Sequence, residues 1–177
     1  MIRSKVFATL VLTFAVGSAA AQVKEADPKD VASIDAIMTA VYAVISGDAG
    51  QPRNWDRFRS FFHKDARLIP AGKNAQTGVI GARAMSPDDY SKGAAAFFAK
   101  EGFYETEMAR RVDLYGNIAH IFSTYESRHS PKEAPFMRGI NSFQLLNDGK
   151  RWWVMTIYWQ GETPENPIPK QYLKSKK

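Results

Sequence analysis

Apolar residues recur along this chain at two spacings, and the change from one to the other divides it. In "DPKDVASIDAIMTAVYAVISG", residues 27–47, Ile34, Ile37, Met38, Val41, Tyr42 and Ile45 fall at helical spacing and form one apolar stripe. Asp27 suits the N-cap, Pro28 the first helical position and Gly47 the stop. "NWDRFRSFF" predicts a short second helix that packs Trp55, Phe58 and Phe62. "ARLIP" predicts a short strand ended by Pro70, and "GKNAQTGVIGARAM" a glycine-rich loop with a weak strand. A third helix is expected from Ser86, with Pro87 just inside and Asp89 three residues on, close to a capping box. Tyr90, Ala94, Phe97 and Phe98 give its inner side, and Gly102 ends it.

Beyond Gly102 the period becomes two, which predicts strands over 103–115, 118–128, 136–147 and 150–161. Gly116-Asn117 and Asp148-Gly149 suit two-residue hairpin loops. These loops set Tyr115 opposite Ile118 and Asn147 opposite Lys150, and the longer loop between them sets Arg128 opposite Phe136. One sheet face then carries Leu114, Ala119, Leu145 and Trp152, followed by Val112, Ile121, Phe143 and Val154. Next comes a polar row of Arg110, Ser123, Asn141 and Thr156, and then Met108, Tyr125, Gly139 and Tyr158. The other face carries Asp113, His120, Gln144 and Trp153 in one row and Glu107, Glu126, Arg138 and Trp159 in another.

Helices followed by an antiparallel meander make an α+β chain. The run "SGDAGQPRNWDRFRSFF", then "HKDARLIP", a helix, and long strands ending in "GKRWWVMTIYW" resembles the nuclear-transport-factor-2-like (NTF2-like) superfamily, and within it the SnoaL-like proteins. The resemblance covers nearly all of the chain beyond residue 21. It implies a cone in which a curved antiparallel sheet wraps three N-terminal helices, with a pocket at the mouth and an outer sheet face that pairs two protomers. Trp153, Ile157 and Trp159 are the expected contacts of such a homodimer, since that much apolar surface left in water invites aggregation.

The first 21 residues stand apart from this pattern. Arg3 and Lys5 precede the apolar run "VFATLVLTFAV", and "GSAAAQ" places Ala19 and Ala21 at the small-residue positions of a signal-peptidase site. The run is shorter than the ~20 residues that span a bilayer. A signal peptide over 1–21, a cone domain over 22–169 and a basic tail over 170–177 are therefore expected. The mature chain would be periplasmic or secreted and would carry no transmembrane segment. The chain has no cysteine, which excludes disulfides and thiolate metal sites. Its net charge of +6 points toward nucleic acid, but the distribution removes that reading. Of 24 Lys and Arg, two lie in the opening segment and four in the last eight residues, leaving 18 against 18 Asp and Glu.

A polar row at the end of an apolar face needs internal bonds, ligand or water. The candidate ligand-binding residues are accordingly Arg110, Ser123, Tyr125, Asn141, Thr156 and Tyr158, with Tyr42 and Trp55 from the helices. Apolar walls with a few convergent polar groups suit a small, mainly apolar molecule, and Arg110 in that row would admit an anionic group. The resemblance also implies where an enzyme of this family would hold its acids, and this chain departs from both patterns. Before the proline that closes the first short strand stands Ile69, and the last strand carries Thr156 and Tyr158. A binding protein is thus the first expectation, without a cofactor. A cofactor-free isomerase, lyase or hydrolase using Tyr125, Tyr158, Arg110 or His129 is the alternative, and a protein-interaction subunit is another. His63, His120 and His129 match no metal-site spacing. Glu126 with Arg138 reads as a cross-strand ion pair, and His120 lies opposite Asp113.

Overall fold

The computed structural model describes residues 25–174, so the expected signal peptide and the last three residues lie outside it. The first helical stretch carries two capping signals and becomes two helices. Asp27 caps α1 (Pro28–Val31), and Ser33, in extended conformation, accepts the Ala36 N–H at 3.1 Å to start α2 (Ile34–Ile45). The α2 stripe of Ile37, Met38, Val41 and Ile45 is buried as expected. Arg53 locks the exit of α2, with Nε on the Ile45 carbonyl at 2.9 Å and Nη2 on the Gly47 carbonyl at 2.6 Å. α3 (Trp55–Ser60) follows, and Arg57 ties it to α1 through both oxygens of the buried Asp30.

The first strand is longer than expected. β1 runs Phe62–Lys73, straight through Pro70, which lacks an N–H but whose carbonyl accepts from Arg83 N at 3.2 Å. A short β2 (Ile80–Ala82) turns back along its end. α4 (Pro87–Phe98) opens with the full capping box of Ser86 and Asp89. Then come β3 (Tyr104–Tyr115), β4 (Ile118–Arg128), β5 (Met137–Asn147) and β6 (Trp152–Gly161). The strands form one six-stranded sheet in the order β2-β1-β6-β5-β4-β3. The sheet is mixed, not wholly antiparallel, because β1 pairs with β6 in parallel. It remains open, with β3 at one edge, and its inner face packs on the helices as an α+β cone.

The registers hold in one hairpin, partly in the second and fail in the third. Between β4 and β5 all pairs follow the expected alignment, from Ile118 opposite Leu146 to Ser127 opposite Met137. Between β3 and β4 the alignment holds from Tyr115 to Ala109, then a bulge at Met108 sets Glu107 opposite Tyr125. Glu105 and Glu107 therefore turn to the inner face. The β5–β6 turn has four residues instead of two, because the Asp148 carboxylate accepts the N–H groups of Lys150 and Arg151 at 2.8 and 2.9 Å. Leu145 then lies opposite Val154 where Trp152 was expected. A second bulge, at Met155, reverses the alternation beyond it. Trp152 and Val154 face the core as predicted, but so do Ile157 and Trp159, while Thr156 and Tyr158 face outward.

Trp153, Ile157 and Trp159 consequently do not form one surface, which corrects the expected dimer contact. Part of the outer face is covered by the chain itself. A 3-10 turn, Lys170–Tyr172, rests on β3 and β4 there, with Thr124 Oγ1 donating to the Tyr172 carbonyl at 2.6 Å and the Tyr172 ring 5.0 Å from Phe122. The segment expected to be a basic tail thus starts as part of the packed fold. Among the described residues, no helix is long and apolar enough to cross a membrane.

Candidate functional site: an aromatic cavity around Glu105

A cavity of about 410 Å³ lies between α2, α4 and the inner face of the sheet. Val41 and Ile45 from α2, Tyr90 and Phe97 from α4, and Phe143, Ile157 and Trp159 from the sheet wall it. The aromatic part is tightly braced: Tyr90 lies 5.4 Å from Phe58 and edge-on to Trp159 at 6.4 Å. The bulge at Met155 is what turns Trp159 into this wall.

The polar end of the cavity is built on β3. Glu105 is partly buried and lines the cavity, and its carboxyl meets only neutral donors: Ser127 Oγ at 3.0 Å and Asn141 Nδ2 at 3.3 Å. No cation pairs with it among the described residues. Burial therefore pushes the Glu105 carboxyl up to about 7, against the pull of those two hydrogen bonds. Burial likewise raises the phenols of Tyr42, Tyr90 and Tyr125, and the charge of Glu105 raises each further. These tyrosines stay protonated donors at any physiological pH.

Tyr125 supplies the second unusual feature. The residue is buried and lines the cavity, and its hydroxyl has no hydrogen-bond partner among the described residues. Gly139 makes room for it, since a Cβ there would fall 2.6 Å from that hydroxyl and 2.5 Å from the Gln160 carbonyl. A buried hydroxyl without a partner is uncommon, and this one lies near enough to Glu105 to feel its charge.

Behind Glu105 a chain of hydrogen bonds runs to the surface. Asn141 Nδ2 also donates to Tyr42 Oη at 3.1 Å, Tyr42 Oη donates to Ser123 Oγ at 2.7 Å, and Ser123 Oγ donates to Glu107 Oε1 at 2.5 Å. Glu107 Oε2 takes Arg110 Nε at 2.9 Å, and Arg110 Nη1 meets the exposed Asp35 at 3.1 Å.

Of the eight candidate residues, Tyr42, Tyr125 and Asn141 line the cavity. Ser123 sits one bond behind, under Tyr42. Arg110 is on the inner face as expected, opposite Ser123, but is turned away from the cavity into Glu107 and Asp35, so it forms no anion clamp there. Trp55 packs against Phe58 and Phe98 without reaching the cavity. Thr156 and Tyr158 are on the opposite face of the sheet, and Tyr158 is 46% exposed, as the bulge at Met155 requires. The expected Glu126–Arg138 pair divides: Glu126 binds Arg128, and Arg138 binds Glu162. His120 bonds Ser142 on the outer face, and His129 stacks on Phe136 at 4.2 Å, away from the cavity. Among the described residues no group of three or more His, Asp or Glu is placed to hold a metal ion.

Sequence reasoning missed Glu105, Tyr90 and Trp159 as cavity residues. One signal was available. On the expected registers Ser123, Ser127 and Asn141 share the inner face, all able to donate, with no acid to receive them. Such a surplus of buried donors calls for an acceptor, and Glu105 and Glu107 are the nearest that one bulge can supply.

No protein-family model and no curated protein sequence matches the chain. Solved structures do. A protein of unknown function with a cystatin-like fold from Nostoc punctiforme superposes with a TM-score of 0.57 at 10% identity, over 82% of this chain and 100% of that one. The beta subunit of a candidate aromatic-ring-hydroxylating dioxygenase from Novosphingobium aromaticivorans gives 0.56 at 13% identity, over 75% and 88%. A candidate ketosteroid isomerase from Parabacteroides distasonis gives 0.51 at 10% identity, over 81% and 99%. At such identities it is the backbone that is shared, and its order of helices, mixed open sheet and inner cavity is the fold of the NTF2-like superfamily.

Proposed function

We propose that this chain is an exported small-molecule-binding protein that takes a mainly apolar ligand into the cone, with the ligand's polar group against Glu105 and Tyr125. The observation that carries the reading is an aromatic cavity of ligand size lined by Glu105, whose carboxyl is pushed up to about 7, and by Tyr125, whose hydroxyl has no partner among the described residues. A ligand that bonds this hydroxyl removes the cost of leaving it unpaired. Export rests on the basic and apolar opening of the sequence.

Native mass spectrometry of protein purified gently from its own host tests the reading. Wild type is expected to retain a non-covalent adduct, and Ala94→Trp, which fills the cavity from α4, is expected to lose it. An adduct that persists in Ala94→Trp would put the ligand elsewhere and overturn the proposal.

The carboxyl near 7 favours a second reading, cofactor-free acid–base turnover of the kind an isomerase or lyase performs. Glu105 would move the proton, and Tyr125 would steady the charge that develops on the substrate. Turnover with a pH–rate midpoint near 7, lost in Glu105→Gln, supports it; turnover that survives Glu105→Gln refutes it.

A further inference from the structure

The cavity contains one chemical imbalance that a ligand could correct. Of the charged residues that line it, Arg83 and Asp89 come from the approach to α4 and its first turn and offset each other: Asp89 closes the capping box with Ser86, and those bonds, helped by the charge of Arg83, hold its carboxyl below the usual range. The remaining charged group is Glu105, which pairs with no cation among the described residues. The positive charge nearest on β3, Arg110, is consumed by Glu107 and Asp35. An anionic ligand would bring a second negative charge beside Glu105 in a poorly solvated space, which is the costly arrangement. A neutral ligand would leave the carboxylate uncompensated whenever it ionises. A cation would satisfy it.

The walls agree with that choice. Trp159, Tyr90, Tyr125 and Phe103 present aromatic rings to the same cavity, and aromatic faces attract a cation through their negative quadrupole. Glu105, whose donors among the described residues are Ser127 and Asn141, can accept the N–H groups of such a cation. We propose that the ligand of this cavity carries a protonated amine on an apolar body, seated between Glu105 and the aromatic walls. This inference rests on the small-molecule reading above and narrows it to one ligand class. It replaces the anionic group expected from Arg110.

The groups that face Glu105 set the pH dependence. They are Tyr42 from α2, Tyr90 from α4, Tyr125 from β4, Asn141 from β5 and Glu107 on its own strand, with Arg83 and Asp89 at the edge of the cavity. The tyrosines hold their protons at working pH, so Glu105 is the titrating partner of the amine.

Calorimetric titration with three probes of one size separates the outcomes: phenethylamine, phenethyl alcohol and phenylacetate. On wild type at about pH 8 the amine is expected to bind at least about tenfold more tightly than the alcohol, with phenylacetate weakest. The amine stays protonated at about pH 5.5, yet its affinity should fall several-fold, by at most about thirtyfold, as Glu105, which titrates near 7, becomes neutral. Glu105→Gln should equalise amine and alcohol. The wild-type pH series stands alone if that variant folds poorly. Equal binding of amine and alcohol by wild type at about pH 8, or an amine preference that persists in Glu105→Gln, would overturn the amine while leaving the cavity a ligand site. Failure of all three probes to bind wild type would remove both proposals.

Discussion

Glu105 and Glu107 stand two residues apart on β3, both turned inward, and the fold treats them in opposite ways. Glu107 receives a serine hydroxyl and an arginine, and that arginine reaches on to Asp35 at the surface. Glu105 receives only a serine and an amide and faces a cavity. A fold that needed both carboxyls only for architecture would give both the same kind of partner, because an unpaired buried charge costs stability. The difference separates a structural acid from one held ready for something outside the chain. The contrast can be attacked from either side.

The largest effect should come from proton uptake at Glu105. Its carboxyl rises from an ordinary 4.5 to about 7 on folding, so between these values the native state holds a proton that the unfolded chain has lost. Native stability from this group is therefore full below about pH 4.5 and is lost as pH rises through about 7, by up to about 3 kcal/mol. Glu105→Gln keeps a neutral side chain at all pH and should lack this slope. Chemical denaturation of both proteins across that range measures the difference. Parallel pH curves would mean that Glu105 is compensated after all, and the contrast with Glu107 would collapse.

Next in size is Arg110→Met, which strips Glu107 of its cation and leaves Ser123 as its donor. Both side chains of the pair are about one-fifth exposed, so the loss should fall below that of a fully buried pair, at about 2 kcal/mol near neutral pH. It should shrink in acid, where a neutral carboxyl needs no cation. Binding of a probe in the cavity should be unaffected, since Arg110 does not line it. A variant that instead loses affinity with unchanged stability would restore Arg110 as a ligand group.

How far this site was legible in the sequence depends on the range of the signal. The apolar stripe of α2 and the Ser86–Asp89 box of α4 are local, and both form as read. So is the parity of β4 and β5, which places Tyr125, Asn141 and Gly139 together. The order of helices and strands carried the NTF2-like resemblance. What escaped were two single-residue bulges, at Met108 and Met155, and the Asp148 turn. "NDGK" reads the same whether Gly149 closes a two-residue loop or Asp148 folds its carboxylate over the next two N–H groups. A bulge leaves composition and period intact on either side and changes only which face each side uses. That is why the expected registers put Thr156 and Tyr158 in the pocket but Trp159, its wall, and Glu107 outside, and with Glu107 the acid of the site, Glu105, which shares its parity.

The smallest effect concerns the link between the two acids. Asn141 Nδ2 donates one hydrogen to Glu105 and the other to Tyr42, and the bonds then run from Tyr42 through Ser123 to Glu107. A primary amide donating in both directions cannot hand a proton along, so the path carries structure and no proton current. Tyr42→Phe removes the central hydroxyl and orphans one buried hydrogen of Asn141, which should cost about 1 kcal/mol. Glu107→Gln keeps the shape of the path and should leave the titration of Glu105, followed by the pH dependence of stability, unmoved. A midpoint that shifts in Glu107→Gln would show the two carboxyls coupled through their charges, and the acid facing the cavity would then be one end of a coupled pair whose other end is anchored by Arg110.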